Sequence, residues 1–229
     1  MVIGNGLIAK VFKNFQLDNR VIVVASGVSN SRNTDKKEFD REYNLVKNLI
    51  SDYPDKLLVY FSSCSINNEI SPYTEHKLFI EKLIVNNSNN YLIMRLPLVL
   101  GRNQSYNQLA GYLFSRLHTN KEIEIYNLAN RFFVDSEDLP IILEHFLFLE
   151  LKNEILDIAF DNSITIIELV NIIEKLLKKE FSKKIILDRA SPYVVKNKRF
   201  IKLISTLDIS VFNQSVEKMI IKYLVYEKN

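Results

Sequence analysis

The sequence predicts an α/β protein in which helices cover both faces of a parallel β-sheet. Three apolar runs, "RVIVVAS", "KLLVYFSS" and "NYLIMRLPLVL", recur along the first half of the chain. Their apolar residues occupy consecutive positions, which is typical of strands buried on both faces. Helical patterns separate the runs, and strands that alternate with helices form parallel sheets.

Composition bounds the protein class before any motif is considered. The chain has 229 residues, of which 47% are hydrophobic, enough for one large domain with a small lobe. Its 30 basic and 27 acidic residues are spread along the chain, so no nucleic-acid groove is expected. The single cysteine, Cys64, excludes an internal disulfide, and the three histidines lack metal-ligand spacing. Without a signal peptide or a long apolar run, a soluble, cytoplasmic protein with no membrane partner is expected.

The elements of the first half follow in a regular order. A short strand, Met1–Ile3, leads through "GNG" into a helical pattern, and the remaining elements alternate. They are the strand 20–26, the helix 35–51, the strand 56–63, a helix that begins near Ser71, and the strand 90–100.

The second half has a looser pattern that predicts a smaller α/β lobe. The predicted helices are 105–117, 136–151, 165–179 and 213–226, and the predicted strands are 122–127, 131–135, 154–160 and 184–189. We therefore divide the chain into a nucleotide-binding region, residues 1–101, and a remainder, residues 102–229, that holds the substrate lobe. The two parts are expected to interleave in one compact unit.

The first strand ends in a G-x-G-x-x-A motif formed by Gly4, Gly6 and Ala9. The first glycine permits a tight turn, the second lets a pyrophosphate approach the backbone, and the small third residue lets the helix pack on the strand. This motif predicts a dinucleotide site because a strand precedes it and a helix follows. The acidic residue expected about 20 positions later to hold a ribose is missing. Nearby Arg20 and Arg32 carry little weight as partners of a 2′-phosphate.

Tyr73 and Lys77 lie four positions apart at the start of a predicted helix. Positions four apart share one helix face, so the Lys77 ammonium can stand close to the Tyr73 hydroxyl. A neighbouring positive charge favours tyrosinate, which makes tyrosine able to exchange a proton with a hydroxyl or ketone. The preceding strand ends in Ser62-Ser63, and a serine hydroxyl there can bond the same substrate oxygen.

Together these residues resemble the extended short-chain dehydrogenase/reductase family, in its branch that acts on nucleotide sugars. The resemblance covers nearly the whole chain and implies a Rossmann-like sheet. "LLVYFSSCSI" is similar to the strand that ends at the catalytic serine, which makes Ser63 the counterpart and Ser62 the fallback. "SPYTEHKLFIEKLI" is similar to the family's catalytic helix, so Tyr73 is the implied acid/base and Lys77 its activator.

Further site residues follow from the same resemblance. "EFDREYNLVKNLI" resembles the helix whose asparagine, here Asn44, supports the proton relay. "RFFVDSEDL" resembles the segment in which an arginine, here Arg131, grips the nucleotide diphosphate. The resemblance also implies contacts with the cofactor and the substrate from the strand ends. For the cofactor these residues are Ala25, Ser26, Gly27 and Pro97, and for the substrate they are Ser63 and Cys64.

The chain departs from the family in its strand count and in its loop after Ser63. "RVIVVASGVSNS" matches the family's fourth strand and loop, so the second and third strands, which carry the adenosine pocket, are expected to be missing. Asn67-Asn68 replaces the usual tyrosine-glycine. Cys64 and Ser65 stand where family 4,6-dehydratases carry an acidic pair, which argues against dehydration.

The resemblance implies an NAD(P)-dependent reductase of a nucleotide-activated 4-ketosugar, in polysaccharide or deoxysugar biosynthesis. An epimerase that uses the same residues is an alternative, because both reactions need the same hydride and proton transfers. A second alternative is a non-catalytic relative that binds a nucleotide sugar or a partner enzyme. A homodimer through the Tyr73 helix is also implied, with Phe79, Ile80 and Leu83 as an apolar stripe that would serve the core equally well.

Overall fold

The computed structural model describes residues 1–102, 112–113, 115–116, 119–126, 129–187 and 193–225. The strands are β1 (Val2–Ile3), β2 (Val21–Val24), β3 (Leu57–Ser63), β4 (Tyr91–Leu96), β5 (Leu98–Leu100), β6 (Ile123–Tyr126), β7 (Asn130–Arg131), β8 (Phe133–Asp135), β9 (Glu154–Asp157), β10 (Ile164–Thr165) and β11 (Lys183–Ile186). The helices are α1 (Leu7–Val11), α2 (Lys36–Asp52), α3 (Pro72–Asn87), α4 (Asp138–Phe148), α5 (Ile166–Leu177), α6 (Lys198–Ile204) and α7 (Val216–Ile220).

Five parallel strands form the main sheet in the order β1-β2-β3-β4-β9. This confirms the predicted Rossmann-like α/β sheet in its shortened form, because β1 pairs directly with the strand that resembles the family's fourth. Across the described residues, no strand pairs with the outer edge of β1. The outward-facing Val2 N–H instead donates to Gln16 Oε1 at 3.2 Å, so a side chain covers the edge of this short strand.

Alternate residues of β2 point into two separate cores. Val21 and Val23 join the core beneath α1, α4 and α6, whereas Ile22 and Val24 join the core beneath α2 and α3. All four side chains are at most 1% exposed, so β2 is a central strand covered on both faces. This burial explains why its sequence is apolar at every position rather than alternating.

A third core lies in the second half of the chain. Strand β6 pairs in parallel with β11, and α5 packs its apolar face on β6. Strand β5 pairs with β8 outside the main sheet. Strand β9 returns to the main sheet beside β4, so the second half supplies one of its strands. The division at residue 101 remains a prediction.

Several predicted elements differ from the structure in their bounds. The predicted strand 90–100 is broken at Pro97, which has no N–H for the ladder, so β4 stays in the main sheet and β5 leaves it. Helix α6 was not predicted. The terminal helix begins at Val216, and Ile221–Val225 continues it with π-type turns. Most of the predicted helix 105–117, together with His118 and residues 188–189 and 226, lies outside the described residues.

No helix among the described residues is long and apolar enough to cross a membrane.

Candidate active site

A cleft of about 1920 Å³ opens at the carboxyl ends of the main-sheet strands. Ligands of parallel α/β sheets bind at this edge, and pockets for a single drug-sized ligand measure roughly 300–1,000 Å³. The cleft is therefore large enough for two ligands side by side. Of the residues predicted from the sequence, the cleft is lined by Gly6, Ala25, Ser26, Gly27, Ser62, Ser63, Tyr73, Lys77, Pro97 and Arg131.

The turn after β1 has the geometry that its two glycines predict. Gly4 has φ +127°, and a Cβ added there would lie 2.3 Å from the Ala25 carbonyl oxygen. Only glycine fits this position. A Cβ added to Gly6 would meet nothing within 4 Å, so Gly6 faces open space in the cleft. Ala9 lies on the buried face of α1 and is 6% exposed, and its small size permits close packing of the helix on the sheet. Helix α1 itself has only five residues.

Strand β3 delivers two serines to the cleft. Ser63 ends the strand, and its hydroxyl accepts a 3.2 Å hydrogen bond from the Ser65 N–H at the start of the 3-10 turn Cys64–Asn67. The buried Ser62 hydroxyl has no hydrogen-bond partner among the described residues. A buried polar group without a partner is costly.

Helix α3 holds Tyr73 and Lys77 on one face, as predicted. A reciprocal capping box between Ser71 and Thr74, with Pro72 in the first turn, fixes the start of the helix. Tyr73 lies in this first turn and is 7% exposed. The Lys77 Nζ atom lies 5.9 Å from the centroid of the Tyr73 ring.

Lys77 binds a buried carboxylate that the sequence analysis missed. Its Nζ atom donates to Glu42 Oε1 at 2.8 Å and to the Tyr60 hydroxyl at 3.0 Å. Glu42 is 0% exposed. Burial alone would raise the pKa of Glu42, but the Lys77 charge and hydrogen bonds from His76, Lys77 and the Val28 N–H outweigh burial and lower it to about 2.

Asn44 is the residue that the resemblance implied as a support of the proton relay. Asn44 lies on the exposed face of α2, whereas Glu42 points at Lys77. Residues two positions apart on a helix point to nearly opposite sides, which is why both cannot face the site.

Cys64, for which the resemblance implied a substrate contact, lies in the interior of the protein. Its thiol is 0% exposed and donates to the Arg95 carbonyl oxygen at 3.2 Å. The described lining of the cleft does not include Cys64. Burial, with a smaller effect of Asp157, raises the pKa of the thiol, so it stays protonated and unreactive.

The loop after β2 packs against the ion pair of Glu42 and Lys77. A Cβ at Gly27 would lie 2.5 Å from Glu42 Oε1 and 2.9 Å from Lys77 Nζ, so the backbone of Gly27 packs directly on the ion pair. The hydroxyl and carbonyl oxygens of Ser26 accept from Arg41 Nη1 at 3.2 and 3.0 Å. Arg32 lines the cleft as well, whereas Arg20 pairs with Asp18 at 2.7 Å.

Tyr193 is a further cleft residue that sequence reasoning missed. The Arg131 guanidinium lies 5.3 Å from the centroid of its ring, and its hydroxyl bonds Ser65 Oγ at 3.2 Å. Burial raises the pKa of Tyr193 despite the Ser65 hydrogen bond. Asn68 fixes the same segment, because its side chain bonds both the N–H and the carbonyl oxygen of Val194. No local pattern around residue 193 signals this role.

No group of three or more His, Cys, Asp or Glu side chains in the described ranges is arranged to hold a metal ion.

Comparison with known proteins finds similar structures but no similar sequence. Neither protein-family models nor curated proteins match the chain. Among solved structures, the Bordetella bronchiseptica enzyme WbmH in complex with NAD+ has a TM-score of 0.76 and 16% identity, over 98% of this chain and 81% of that one. A dTDP-4-dehydrorhamnose reductase from Clostridium acetobutylicum has a TM-score of 0.74 and 11% identity, over 100% and 98%. A dTDP-glucose 4,6-dehydratase from Bacillus anthracis with NAD has a TM-score of 0.73 and 18% identity, over 98% and 79%. The chain thus shares the fold of these proteins, as the sequence resemblance implied.

Proposed function

We propose that the protein is an NAD(P)-dependent oxidoreductase of nucleotide sugars, and specifically a reductase of a nucleotide-activated 4-ketosugar. One observation carries the proposal: Ser63, Tyr73 and Lys77 line the same cleft as the open turn at Gly6. The fold neighbours support the substrate and cofactor class, since they include a dTDP-4-dehydrorhamnose reductase and proteins crystallised with NAD.

The residues present fit a dinucleotide on its phosphate and nicotinamide side. Gly6 leaves room for a pyrophosphate, and Ala25 to Gly27 with Pro97 form the adjacent wall. When bound, the nicotinamide supplies or accepts a hydride. The segment from Ala25 to Arg32 that lines the outer part of the cleft contains no acidic residue to hold an adenosine ribose. Weak binding with little choice between NAD and NADP follows from this difference.

The side chains of the cleft then have distinct roles. Tyr73 donates a proton to the ketone oxygen as the carbonyl carbon is reduced, and Ser63 orients that oxygen. Lys77 supplies positive charge beneath Tyr73. Arg131, held over Tyr193, offers a guanidinium to the nucleotide diphosphate.

Two alternatives remain, each with an observation in its favour. An epimerase uses the same residues, and a UDP-glucuronic acid 4-epimerase from Bacillus cereus is among the fold neighbours, with a TM-score of 0.67 and 16% identity over 93% of this chain and 75% of that one. A non-catalytic nucleotide-sugar-binding protein is favoured by the engagement of Lys77 with Glu42 and Tyr60.

Activity assays distinguish the three functions. A panel of dTDP- and UDP-linked 4-ketosugars and hydroxy sugars is incubated with NADH or NADPH. A reductase consumes reduced cofactor in proportion to ketosugar, an epimerase interconverts sugars without net consumption, and a binding protein does neither. Lack of turnover, together with nucleotide-sugar binding, would reject the enzymatic proposal.

We also propose a homodimer that pairs through α2 and α3. Phe79 is 54% exposed and stacks on Tyr43 with 5.5 Å between ring centroids, so an aromatic patch faces solvent. Ile80, by contrast, is 0% exposed and belongs to the core of the chain. Sedimentation of Phe79→Glu should show a monomer where the parent shows a dimer, and a monomeric parent would reject the proposal.

A further inference from the structure

The connection between β1 and β2 is too short to hold a further strand. Residues 4–20 join the two strands, and they contain only the glycine turn, α1, the 3-10 helix Lys13–Phe15 and a turn of five residues. The two strands pair directly and in parallel. In a dinucleotide-binding sheet, a second strand lies beside the first and leads to the acidic residue that holds the adenosine ribose. That part of a dinucleotide site has no counterpart between β1 and β2.

The same connection turns away from the cleft as soon as α1 begins. The structure describes all of residues 4–20, and only Asn5 to Ile8 among them line the cleft. The turn over residues 16–20 leads into the amino end of β2, whereas the cleft opens at the carboxyl ends of the strands. Its Gln16 side chain accepts from the Val2 N–H at 3.2 Å, so the turn folds back on the outer edge of β1. The connection therefore offers an adenosine no contact beyond the glycine turn and the first residues of α1.

The outer wall of the cleft comes from the loop after β2 and from the early part of α2. Beyond Gly27, the described residues of this wall are Val28, Ser29, Asn30, Ser31, Arg32 and Arg41. Two of them are arginines and none is acidic, so the wall carries positive charge. A ribose hydroxyl would need a carboxylate here, whereas a phosphate is bound well by guanidinium groups. The wall therefore suits a phosphate better than a ribose.

Arg41 is held in place at this wall by two neighbouring residues. Its Nη1 atom donates to the carbonyl oxygen of Ser26 at 3.0 Å and to the Ser26 hydroxyl at 3.2 Å, and its Nε atom donates to Glu38 Oε2 at 3.0 Å. A guanidinium has five N–H groups, and these contacts use only those of Nη1 and Nε. The side chain is 43% exposed, so a phosphate can reach the N–H groups of Nη2.

The glycine turn and Arg41 meet at the same short segment of backbone. A Cβ added to Gly4 would lie 2.3 Å from the Ala25 carbonyl oxygen and 3.1 Å from the Ser26 nitrogen, so the turn packs directly on these two residues. Arg41 bonds Ser26 as well. Gly6 faces open space in the cleft beside them. A phosphate over Gly6 therefore lies close to the Arg41 guanidinium.

Resting on the proposed function for its nicotinamide end, we propose that the cleft binds the nicotinamide mononucleotide half of the cofactor by itself, with Arg41 as the partner of its phosphate. Ser63, Tyr73 and Pro97 line the part of the cleft that this proposal gives to the nicotinamide. The mononucleotide ends in a phosphate monoester with a charge of about −1.5 to −2 at neutral pH. The positive outer wall suits this terminal phosphate, and the adenosine half adds few contacts. Reduced nicotinamide mononucleotide should thus bind about as tightly as NADH.

Titrations with the two halves of the cofactor test this proposal without any turnover. The dissociation constants of reduced nicotinamide mononucleotide and of NADH are measured by calorimetry, and 5′-AMP is measured as a competitor of the mononucleotide. Both halves carry a 5′-phosphate monoester, so the comparison isolates the base. We expect the mononucleotide to bind within about tenfold of NADH, and 5′-AMP to bind more than about tenfold more weakly than the mononucleotide. A larger advantage of NADH, or a 5′-AMP affinity within tenfold of the mononucleotide, would overturn the proposal.

A pair of arginine variants tests the phosphate partner. Arg41→Gln removes the charged donor, so the mononucleotide should bind about tenfold more weakly. Arg20→Gln is the matched control, because Arg20 pairs with Asp18 outside the described lining of the cleft and its loss should leave binding unchanged. Both arginines are exposed, so both variants should fold. Unchanged mononucleotide binding in Arg41→Gln, with or without weaker NADPH binding, would reject Arg41 as the phosphate partner.

These binding measurements separate this proposal from the proposed function. If the mononucleotide binds as expected but the protein turns over no nucleotide sugar, the proposed function fails and this proposal stands. If the protein reduces a ketosugar with NADH but binds the mononucleotide more than about tenfold more weakly than NADH, the function stands and this proposal fails. Absence of binding of both NADH and the mononucleotide would reject both.

Discussion

Lys77 Nζ lies 2.8 Å from Glu42 Oε1, and both side chains are at most 3% exposed. A buried pair of this kind is costly to break from one side, by about 3–5 kcal/mol, because the remaining charge is left without a partner. The pair joins α2 to α3 across the end of β3. It therefore links the stability of the fold to the geometry of the candidate site.

The first prediction concerns stability in acid. The pKa of Glu42 is lowered in the folded protein from 4.5 to about 2, so its contribution to stability is complete above pH 4.5 and is lost as the pH falls towards 2. Between these pH values, the melting temperature of Glu42→Gln should therefore fall less than that of the parent. Asp40→Asn, at an exposed carboxylate of the same helix, is the control and should keep the slope of the parent. Parallel slopes in Glu42→Gln and the parent would contradict the assignment.

The second prediction concerns neutral pH and Asp138. Burial, with the charge of Asp135 next, raises the pKa of Asp138 from 3.8 to about 7. The folded state thus holds a proton that the unfolded chain releases, so stability falls as the pH rises from about 4 through about 7. Asp138→Asn should reduce this fall in melting temperature, whereas exposed Asp40→Asn should not. A fall of equal size in Asp138→Asn and the parent would exclude Asp138 as its source.

The third prediction concerns the proton donor. Tyr73→Phe removes the exchangeable proton and keeps the ring, so turnover should fall by about two orders of magnitude or more while the melting temperature stays near that of the parent. Tyr53→Phe, at a tyrosine 37% exposed, is the matched control. Full activity of Tyr73→Phe on a substrate of the parent would exclude Tyr73 from the chemistry.

The fourth prediction separates the two glycines of the first turn. Gly6→Val fills open space in the cleft, so it should weaken dinucleotide binding and leave the free energy of unfolding nearly unchanged. Gly4→Ala places a Cβ on a residue with a φ of +127° and brings that Cβ against the Ala25 carbonyl oxygen. The substitution should therefore lower the free energy of unfolding by about 1–3 kcal/mol or more. Calorimetry and denaturant unfolding measure the two effects. A Gly6→Val protein that binds dinucleotide as tightly as the parent would show that the ligand does not use this turn.

The sequence predicted the sheet because buried strands have a local signature. The apolar runs at β2, β3 and β4 identify these strands without reference to the rest of the chain. The shortened sheet was predicted because the strand at β2 resembles the family's fourth, and its pairing with β1 leaves β1 at the edge. Pro97 could have indicated the break between β4 and β5, since proline cannot donate to a ladder.

The site was predicted less completely, because its key contacts join distant residues. Tyr73 and Lys77 share a helix, so their spacing was sufficient to bring them together. Glu42 lies four positions before Val46 on the apolar stripe of α2, and a carboxylate on that stripe was a usable signal that was overlooked. Its partner Lys77 is 35 positions away, and no local pattern identifies that contact. Tyr193 reaches Ser65 across 128 positions, for the same reason.

The most direct test of the central claim is a calorimetric titration of the purified protein with NADH and with NADPH. The account predicts weak, saturable binding of both, with affinities that differ by less than about a hundredfold, since no acidic residue reads the ribose 2′ position. It also predicts that binding is lost in Gly6→Val. Absence of binding of either cofactor at millimolar concentration, or a preference well above a hundredfold for one of them, would contradict it.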